Sequence, residues 1–453
     1  MNVYFVSMNK TLNWFQYVLI LVSLVWMEPG KAQNFFAQND LQWVAVPDHA
    51  DWIYKVGEKA SVNLQLLWHG QPLSDVEVRY SVGQDELADE VQGKVTTDAQ
   101  GRARIPLGGA KKPSFRDCRM QCTVEGKNFK NHVKVGFSPE KITPYTQMPN
   151  DFAAFWQGVL DEQKKLPLQV QVTPAPEFSS AEVDCYLVKI RTWRTSTEAY
   201  VYGYLSIPKK GGKYPIVVSP PGAGVKHMDP LKTQFYATKG NCIRFEMEIH
   251  GIDPSLSKEV YGDITRAFGN HFAAGYLSNG IQSRETYYMQ KVCASLVRAV
   301  DYLVTRPEWD GKNILVQGNS QGGGLGLALA ALDPRVTALA IAHPALSDMA
   351  AYAEKGRTGG YPHFGLKYKD ITLTPEVIRT LQYYDAVNFA RLVKCPTYMT
   401  WGYNDNVCPP TTSYAVWNTL TCEKECYITP INEHWTSDET RYRQMRFLLK
   451  HCR

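Results

Sequence analysis

A run of apolar and β-branched residues at 313–317 (NILVQ) stops abruptly in the glycine-rich segment 318–324 (GNSQGGG), and small apolar residues, 325–331 (LGLALAA), follow at once. Few backbones satisfy that order. It reads as strand, sharp turn and helix, with Ser320 at the apex. The pattern G-x-S-x-G requires this geometry, because the turn residue is strained and the strand and helix beside it must approach without a Cβ clash. Gly318 and Gly322 occupy the two positions of close approach. Ser320 Oγ is then held out above a sheet edge, and the amide of Gln321, in the first helical turn, faces the place where an oxyanion forms. The bland alternative is a glycine turn that only packs a helix on a sheet, so partners for the serine have to decide.

The surrounding chain alternates strands with helices. Strands are expected at 185–192 and 199–206, joined as a hairpin, then at 216–219, 242–247, 336–341, 396–400 and 426–429. Helices are expected at 152–160, near 231–239, at 285–304 and at about 438–450, with Asn150 or Asp151 as the cap of the first. A long irregular segment, roughly 249–283, lies among them. This alternation predicts an α/β fold, a mostly parallel sheet with helices on both faces. Ahead of it, residues from about 40 to 137 read differently. Short alternating runs at 62–67, 76–81, 96–105, 118–124 and 132–136 are separated by turn signals. They predict an all-β, immunoglobulin-like sandwich with no catalytic constellation, accessory to the α/β region.

A serine nucleophile needs a base, and the base needs an orienting acid. On a sheet of this kind the chain order is Ser, then Asp or Glu, then His. Asp405 lies just past the strand at 396–400, and His434 just past the strand at 426–429. Both come after strand C-termini, where active sites of open α/β sheets lie. Alone, Asp405 is as readily a turn aspartate and His434 a surface histidine; together with Ser320 they form a triad. Asp348 is a rival acid, and His227, His250, His271 and His343 are further pocket candidates. The second oxyanion donor is expected from the loop after an earlier strand, 220–224 (PPGAG), with the Ala223 N–H as the choice. This chemistry requires neither metal nor organic cofactor.

Composition sets the class. The 453 residues are 44% hydrophobic and 21% charged, those of a globular protein of two or three domains. The net charge of +5 falls to +4 without residues 1–32, which carry Lys10, Lys31 and Glu28; this excludes a nucleic-acid partner. Lys10, the apolar run 15–26 and the break at Pro29-Gly30 predict a secretory signal peptide cut near Ala32, with Met1 or Met8 as the start. The run is too short to span a bilayer comfortably, so a cleaved signal is expected over the alternative of an N-terminal membrane anchor, with no membrane partner after cleavage and a secreted or periplasmic location. The expected division is 1–32 signal peptide, 33–140 accessory sandwich and 141–453 catalytic domain. All ten cysteines come after the signal peptide. Cys118 and Cys122 on one strand would stand about 13 Å apart, too far to pair. Cys422 and Cys426 flank what reads as a tight loop and are candidates for a disulfide. The remaining six are expected as buried free thiols.

The elbow 318–324, the segments 285–288 (ETYY), 344–347 (PALS) and 405–410 (DNVCPP), and the spaced 414–420 (YAVWNTL) resemble the acetyl xylan esterase and cephalosporin-C deacetylase family of α/β-hydrolases, from about Phe152 to Arg453. The resemblance implies an α/β-hydrolase fold and removal of short acyl groups, chiefly acetyl, from sugar hydroxyls, with the triad on Ser320, Asp405 and His434. It implies an acetylated carbohydrate or small ester as substrate and leaves homo-oligomerisation open. Where the family has His-Gly-Tyr this chain has Pro221-Gly222-Ala223, which reshapes the acyl pocket; its Arg-Gly-Gln becomes His250-Gly251-Ile252, and its His-Glu becomes His434-Trp435. The leading function is an exported serine esterase acting on acetylated plant polysaccharide. The competing readings are a prolyl-oligopeptidase-like peptidase, against which stands the lack of propeller repeats, and a non-catalytic glycan-binding protein that has kept the fold.

Overall fold

The computed structural model describes residues 40–193, 199–267 and 274–453. The signal peptide expected at 1–32 and His271 lie outside them. Nine strands come first: β1 (Leu41–Pro47), β2 (Ile53–Tyr54), β3 (Ala60–Trp68), β4 (Gln71–Pro72), β5 (Glu77–Gln84), β6 (Asp89–Thr96), β7 (Arg102–Gly108), β8 (Ser114–Val124) and β9 (Lys127–Phe137). They form a four-stranded sheet, β1-β3-β4 with β7 on β3, and a five-stranded sheet, β2-β9-β8-β5-β6. Alternation drives them: in β5, Val78 and Val82 are fully buried while Arg79 between them is exposed.

After helix α1 (Phe152–Lys164) the period changes. A nine-stranded sheet runs β10-β11-β12-β14-β13-β15-β16-β17-β18. Its antiparallel side holds β10 (Val170–Pro174), β11 (Val183–Trp193) and β12 (Ala199–Pro208). The parallel side holds β13 (Tyr214–Ser219), β14 (Ile243–Glu248), β15 (Trp309–Asn319), β16 (Val336–Ala342), β17 (Thr397–Trp401) and β18 (Lys424–Ile428). Every residue of β17 is buried, and the centre of β15 likewise, as expected of parallel strands covered on both faces. The covering helices are α2 (Phe235–Thr238), α3 (Lys258–Ala267), α4 (Ala274–Ser278), α5 (Met289–Leu303), α6 (Gln321–Leu332), α7 (Pro375–Gln382), α8 (Ala386–Ala390), α9 (Pro410–Thr419) and α10 (Asp438–Lys450). None of the described helices is long and apolar enough to cross a membrane.

Several local expectations change. The segment 249–283 is not irregular throughout: it carries α3 and α4. The helix expected from Glu285 starts at Met289, because the Tyr288 amide donates to Asn279 O (2.9 Å) and Tyr287 Oη donates to Leu277 O, so residues 285–288 serve the preceding loop. Asp151 stands at the N-cap of α1 but its carboxylate does not cap; it accepts from Arg284 and Tyr383 instead. Cys422 and Cys426 are not bridged, and all ten cysteines are free. Strand β18 begins at Lys424, and its extended backbone carries Cys426 away from Cys422. Cys452 is only partly buried, whereas the other five scattered cysteines are buried as expected.

The N-terminal sheets are tied to the nine-stranded sheet by a buried charge cluster. Lys134 on β9 has no exposed surface; its Nζ meets Asp85 Oδ1 at 2.7 Å and Glu86 Oε1 at 3.2 Å, and donates to Asp405 O at 2.8 Å. The Lys134 amide donates to Asn404 Oδ1 (2.9 Å), and Thr411 Oγ1 to Asp85 Oδ2 (2.9 Å). Burial opposes the lysine's charge, but Asp85, Glu86 and Asp117 outweigh it and hold its pKa above the usual range. Phe115 packs edge-on against Tyr403 beside this cluster, with ring centres 5.0 Å apart. Removing one partner of such a cluster strands the others without compensation. Lys134→Met is therefore expected to lower stability by about 3–5 kcal/mol, read by denaturant unfolding against wild type.

Candidate active site

The site assembles at the C-terminal ends of β15, β17 and β18. Ser320 comes directly after β15 with φ 58° and ψ −126°, a left-handed backbone that only a tightly constrained turn imposes on a non-glycine residue. Its amide donates to Ala342 O (3.0 Å), and its carbonyl accepts from the Ala345 amide (2.9 Å), which stitches the turn to the end of β16. Both elbow glycines are needed. A Cβ at Gly318 would stand 2.0 Å from Gly322 O, and one at Gly322 would stand 2.4 Å from Pro220 O. The second contact also presses the turn after β13 directly against the elbow.

Asp405, fully buried, lies past the end of β17. Its Oδ1 accepts from the Val407 and Cys408 amides, both at 2.8 Å, which leaves Oδ2 to meet His434 Nδ1 at 2.8 Å. His434 Nε2 lies 2.9 Å from Ser320 Oγ. The three residues singled out by chain order are thus brought together in one hydrogen-bonded line. Burial opposes the Asp405 charge, but the bond from His434, its charge and that of His343 overcome this and hold the carboxyl below its usual range. Ser320 and His434 are partly open to solvent, while Cys408, packed against the serine, is fully enclosed and its thiol pushed well up by burial.

Gln321 opens α6, so its amide belongs to the first helical turn, where N–H groups have no partner in the helix. Its side chain is anchored: Tyr276 Oη donates to Gln321 Oε1 (2.7 Å) and accepts from the Gly224 amide (3.0 Å). Tyr276 thereby ties the elbow to the loop that carries Ala223. It lies in the segment read as irregular, and no spacing in the sequence points to it. His250 packs edge-on against Tyr276, and its Nδ1 is 2.8 Å from Tyr288 Oη. Burial pushes the His250 imidazole down to about 4. Glu248 accepts from the amides of His250, Gly251 and Ile252, which shapes this turn. His227 stacks edge-on against Tyr261 in the same region.

His343 is the histidine of greatest consequence among the remaining candidates. Its ring lies 4.4 Å from that of His434, and its Nδ1 is 4.0 Å from Asp405 Oδ2. Burial, then the neighbouring His434, push it down to about 4, so near neutrality it packs as an uncharged ring. Asp348 does not join the site. Its carboxylate accepts from the Tyr145 amide (3.0 Å) and the Thr146 amide (2.8 Å), which anchors the segment between the two regions. The ligand atoms of His343, Asp405 and His434 lie within 4.8 Å of one another, as do those of Glu423, Glu425 and His451 on the surface. In the first group the Asp405–His434 hydrogen bond already occupies the space between them.

A family model for acetyl xylan esterases matches residues 139–451. The chain belongs to the acetyl xylan esterase family. It is a carboxylic ester hydrolase, which sets aside the peptidase reading and the non-catalytic one. It is 51% identical over 445 residues to the acetyl esterase Axe7A of Xylanibacter ruminicola, an alignment that spans 98% of this chain and 97% of that one. The N-terminal segment, outside the family match, is thus largely covered by that alignment. Two solved structures have the same fold as the α/β region. The acetyl xylan esterase from Paenibacillus sp. R4 is 24% identical at a TM-score of 0.59, over 69% of this chain and 98% of that one. Acetyl xylan esterase 1 from Thermoanaerobacterium sp. JW/SL YS485 is 23% identical at 0.58, over 70% and 98%. They bear out the α/β-hydrolase architecture.

The elbow sets a sharp test. Gly322→Ala forces a Cβ against the Pro220 carbonyl, a backbone atom that cannot step aside. The variant is expected to lose at least about 2 kcal/mol of stability, seen as a lower midpoint in denaturant unfolding, whereas Gly158→Ala, on the open face of α1, is expected to lose none.

Proposed function

We propose that this protein is an exported serine esterase that removes acetyl and other short acyl groups from O-acetylated sugars such as xylan and xylo-oligosaccharides. The observation that carries the reading is the hydrogen-bonded line Ser320–His434–Asp405 beneath the N-terminus of α6. Family membership and the names of the relatives supply the substrate class.

In this reading His434 Nε2 takes the proton of Ser320 as Oγ attacks the ester carbonyl. The developing oxyanion is met by the amides of Gln321 and, as second donor, Ala223, whose loop is held against the elbow by the Gly322–Pro220 approach and by Tyr276. The imidazolium formed is stabilised and kept in register by Asp405, itself fixed by two amides. His434 then protonates the leaving sugar hydroxyl, and an acetyl-serine remains. Water, deprotonated by His434, attacks that ester; acetate leaves and Ser320 recovers its proton. Each proton passes through one imidazole, so no cofactor enters. We further read residues 1–32 as a signal peptide, 33–140 as an immunoglobulin-like accessory sandwich and 141–453 as the catalytic domain, with the enzyme secreted or periplasmic.

Acetate release from acetylated xylo-oligosaccharides tests this. Ser320→Ala is expected to lower the rate by at least about a thousandfold, with loss of labelling by an organophosphonate probe. Release that persists in the variant would refute the mechanism; labelling without release by wild type would keep the serine and discard the substrate. Chelation by EDTA is expected to leave the wild-type rate unchanged, and a rate abolished by EDTA and restored by a divalent ion would reassign His343, Asp405 and His434 to a metal.

A further inference from the structure

The outward face of the five-stranded sheet carries a groove of about 950 Å³ that ends on the catalytic loops. Strand register arranges its floor in rows. Gln92, Ser81, Arg119 and His132 stand opposite one another across β6, β5, β8 and β9. Lys94, Arg79, Gln121 and Lys130 form the next row. Residues directly opposite in a sheet share a face, so each row projects into the groove. A second depression of about 510 Å³ shares Arg79, Gln121 and Lys130 and continues to Thr123. From Asp117 to Thr123 along β8 the floor runs about 20 Å at ~3.4 Å per residue, far longer than one sugar ring.

The chemistry of the lining narrows the occupant. Arg119 is paired with Asp117 (2.9 Å) and Asp89 (2.5 Å), and Lys94 with Glu77 (2.9 Å), toward which Arg79 also points (3.6 Å). Arg79 and Lys94 share one carboxylate, and Lys130 has no ion pair among the described residues. The acids Glu77, Asp89, Asp117 and Glu433 along the two depressions balance the four cations, which disfavours a polyanion such as nucleic acid. The two rows hold no large apolar side chain, and Tyr80 and Met120, which also border the groove, pack on the opposite face into the core, so they offer no anchor to a protein partner. They present instead a grid of donors and acceptors from Gln92, Ser81 and Gln121, suited to a neutral chain of hydroxyl groups, while His132 is held by Asp117 (3.1 Å).

The far end of the groove sets its direction. Asn406 and Glu433 line it, and they adjoin Asp405 and His434 in sequence. His132 Nε2 lies 3.4 Å from Asn406 Nδ2 and 3.8 Å from Glu433 Oε1. One pleat further along β9, Lys134 grips the Asp405 carbonyl, so the sheet cannot shift relative to the triad. We propose that this groove binds the neutral sugar chain that carries the ester, laying the polymer along the N-terminal sheet toward Ser320. The proposal rests on the esterase reading above and adds a subsite to it.

Filling or stripping the groove tests it on two substrates at once. Gln121→Trp and Ser81→Trp block the floor, and Gln121→Ala removes one amide with little steric change. For each, kcat/KM on acetylated xylan is expected to fall about tenfold or more for the blocking variants and a few fold for Gln121→Ala, mostly through KM. On 4-nitrophenyl acetate, too small to reach the sheet, the same variants are expected to stay within about twofold of wild type. Unchanged rates on both substrates, or equal losses on both, would overturn the subsite. Failure of the esterase reading would show differently, as hydrolysis of 4-nitrophenyl acetate that survives Ser320→Ala in an otherwise unaltered chain.

Discussion

The whole C-terminal edge of the nine-stranded sheet depends on how closely one backbone can turn back on itself at Ser320. A Cβ at Gly318 would meet the carbonyl of Gly322, and a Cβ at Gly322 would meet Pro220. Because neither exists, β15 passes into α6 within a single strained residue. The same approach brings the loop after β13 beneath the first turn of α6. Ser320, the N-terminus of α6 and the loop of Ala223 are therefore positioned by one steric fact. The remaining members need only arrive at neighbouring strand ends, and β17 and β18 deliver Asp405 and His434 there.

A second constraint comes from outside the nine-stranded sheet. The loop of Asp405 is held on one side by its own turn, through the amides of Val407 and Cys408, and on the other by Lys134 and its paired carboxylates. A buried cation with two acidic partners is costly to desolvate and unforgiving of displacement. It gives the N-terminal sheets a defined orientation toward the site rather than a loose tether. That orientation sets the polar outer face of β5, β6, β8 and β9 beside the loops of Asp405 and His434, as the proposed sugar-binding groove requires.

Much of this architecture is legible in the amino-acid order. Strand and helix alternation, the elbow, and the succession Ser320, Asp405, His434 arise from local sterics, hydrophobic period and the position of polar residues after strands. The errors have a common origin. The run 285–288 has helical character, yet the Tyr288 amide is claimed by Asn279, a partner supplied by a loop. Cys422 and Cys426 look like a loop pair until β18 is seen to begin between them. The rival acid Asp348, second to Asp405 on sequence grounds, is excluded by the same kind of contact: the segment at Tyr145 and Thr146 occupies its carboxylate.

The sequence alone determined whatever short-range rules decide: where strands end, where a backbone must turn without side chains, and which residue types stand at those ends. Only the tertiary structure decided the surroundings of each side chain. Lys134 sits at a polar position of an alternating strand and reads as a solvated residue; it is buried because loops of a second sheet, far along the chain, cover that face. His343 and Tyr276 gain their places beside His434 and Gln321 in the same way. Burial and hydrogen-bond partners are set by elements distant in sequence, and one chain read linearly carries no record of which of them will meet.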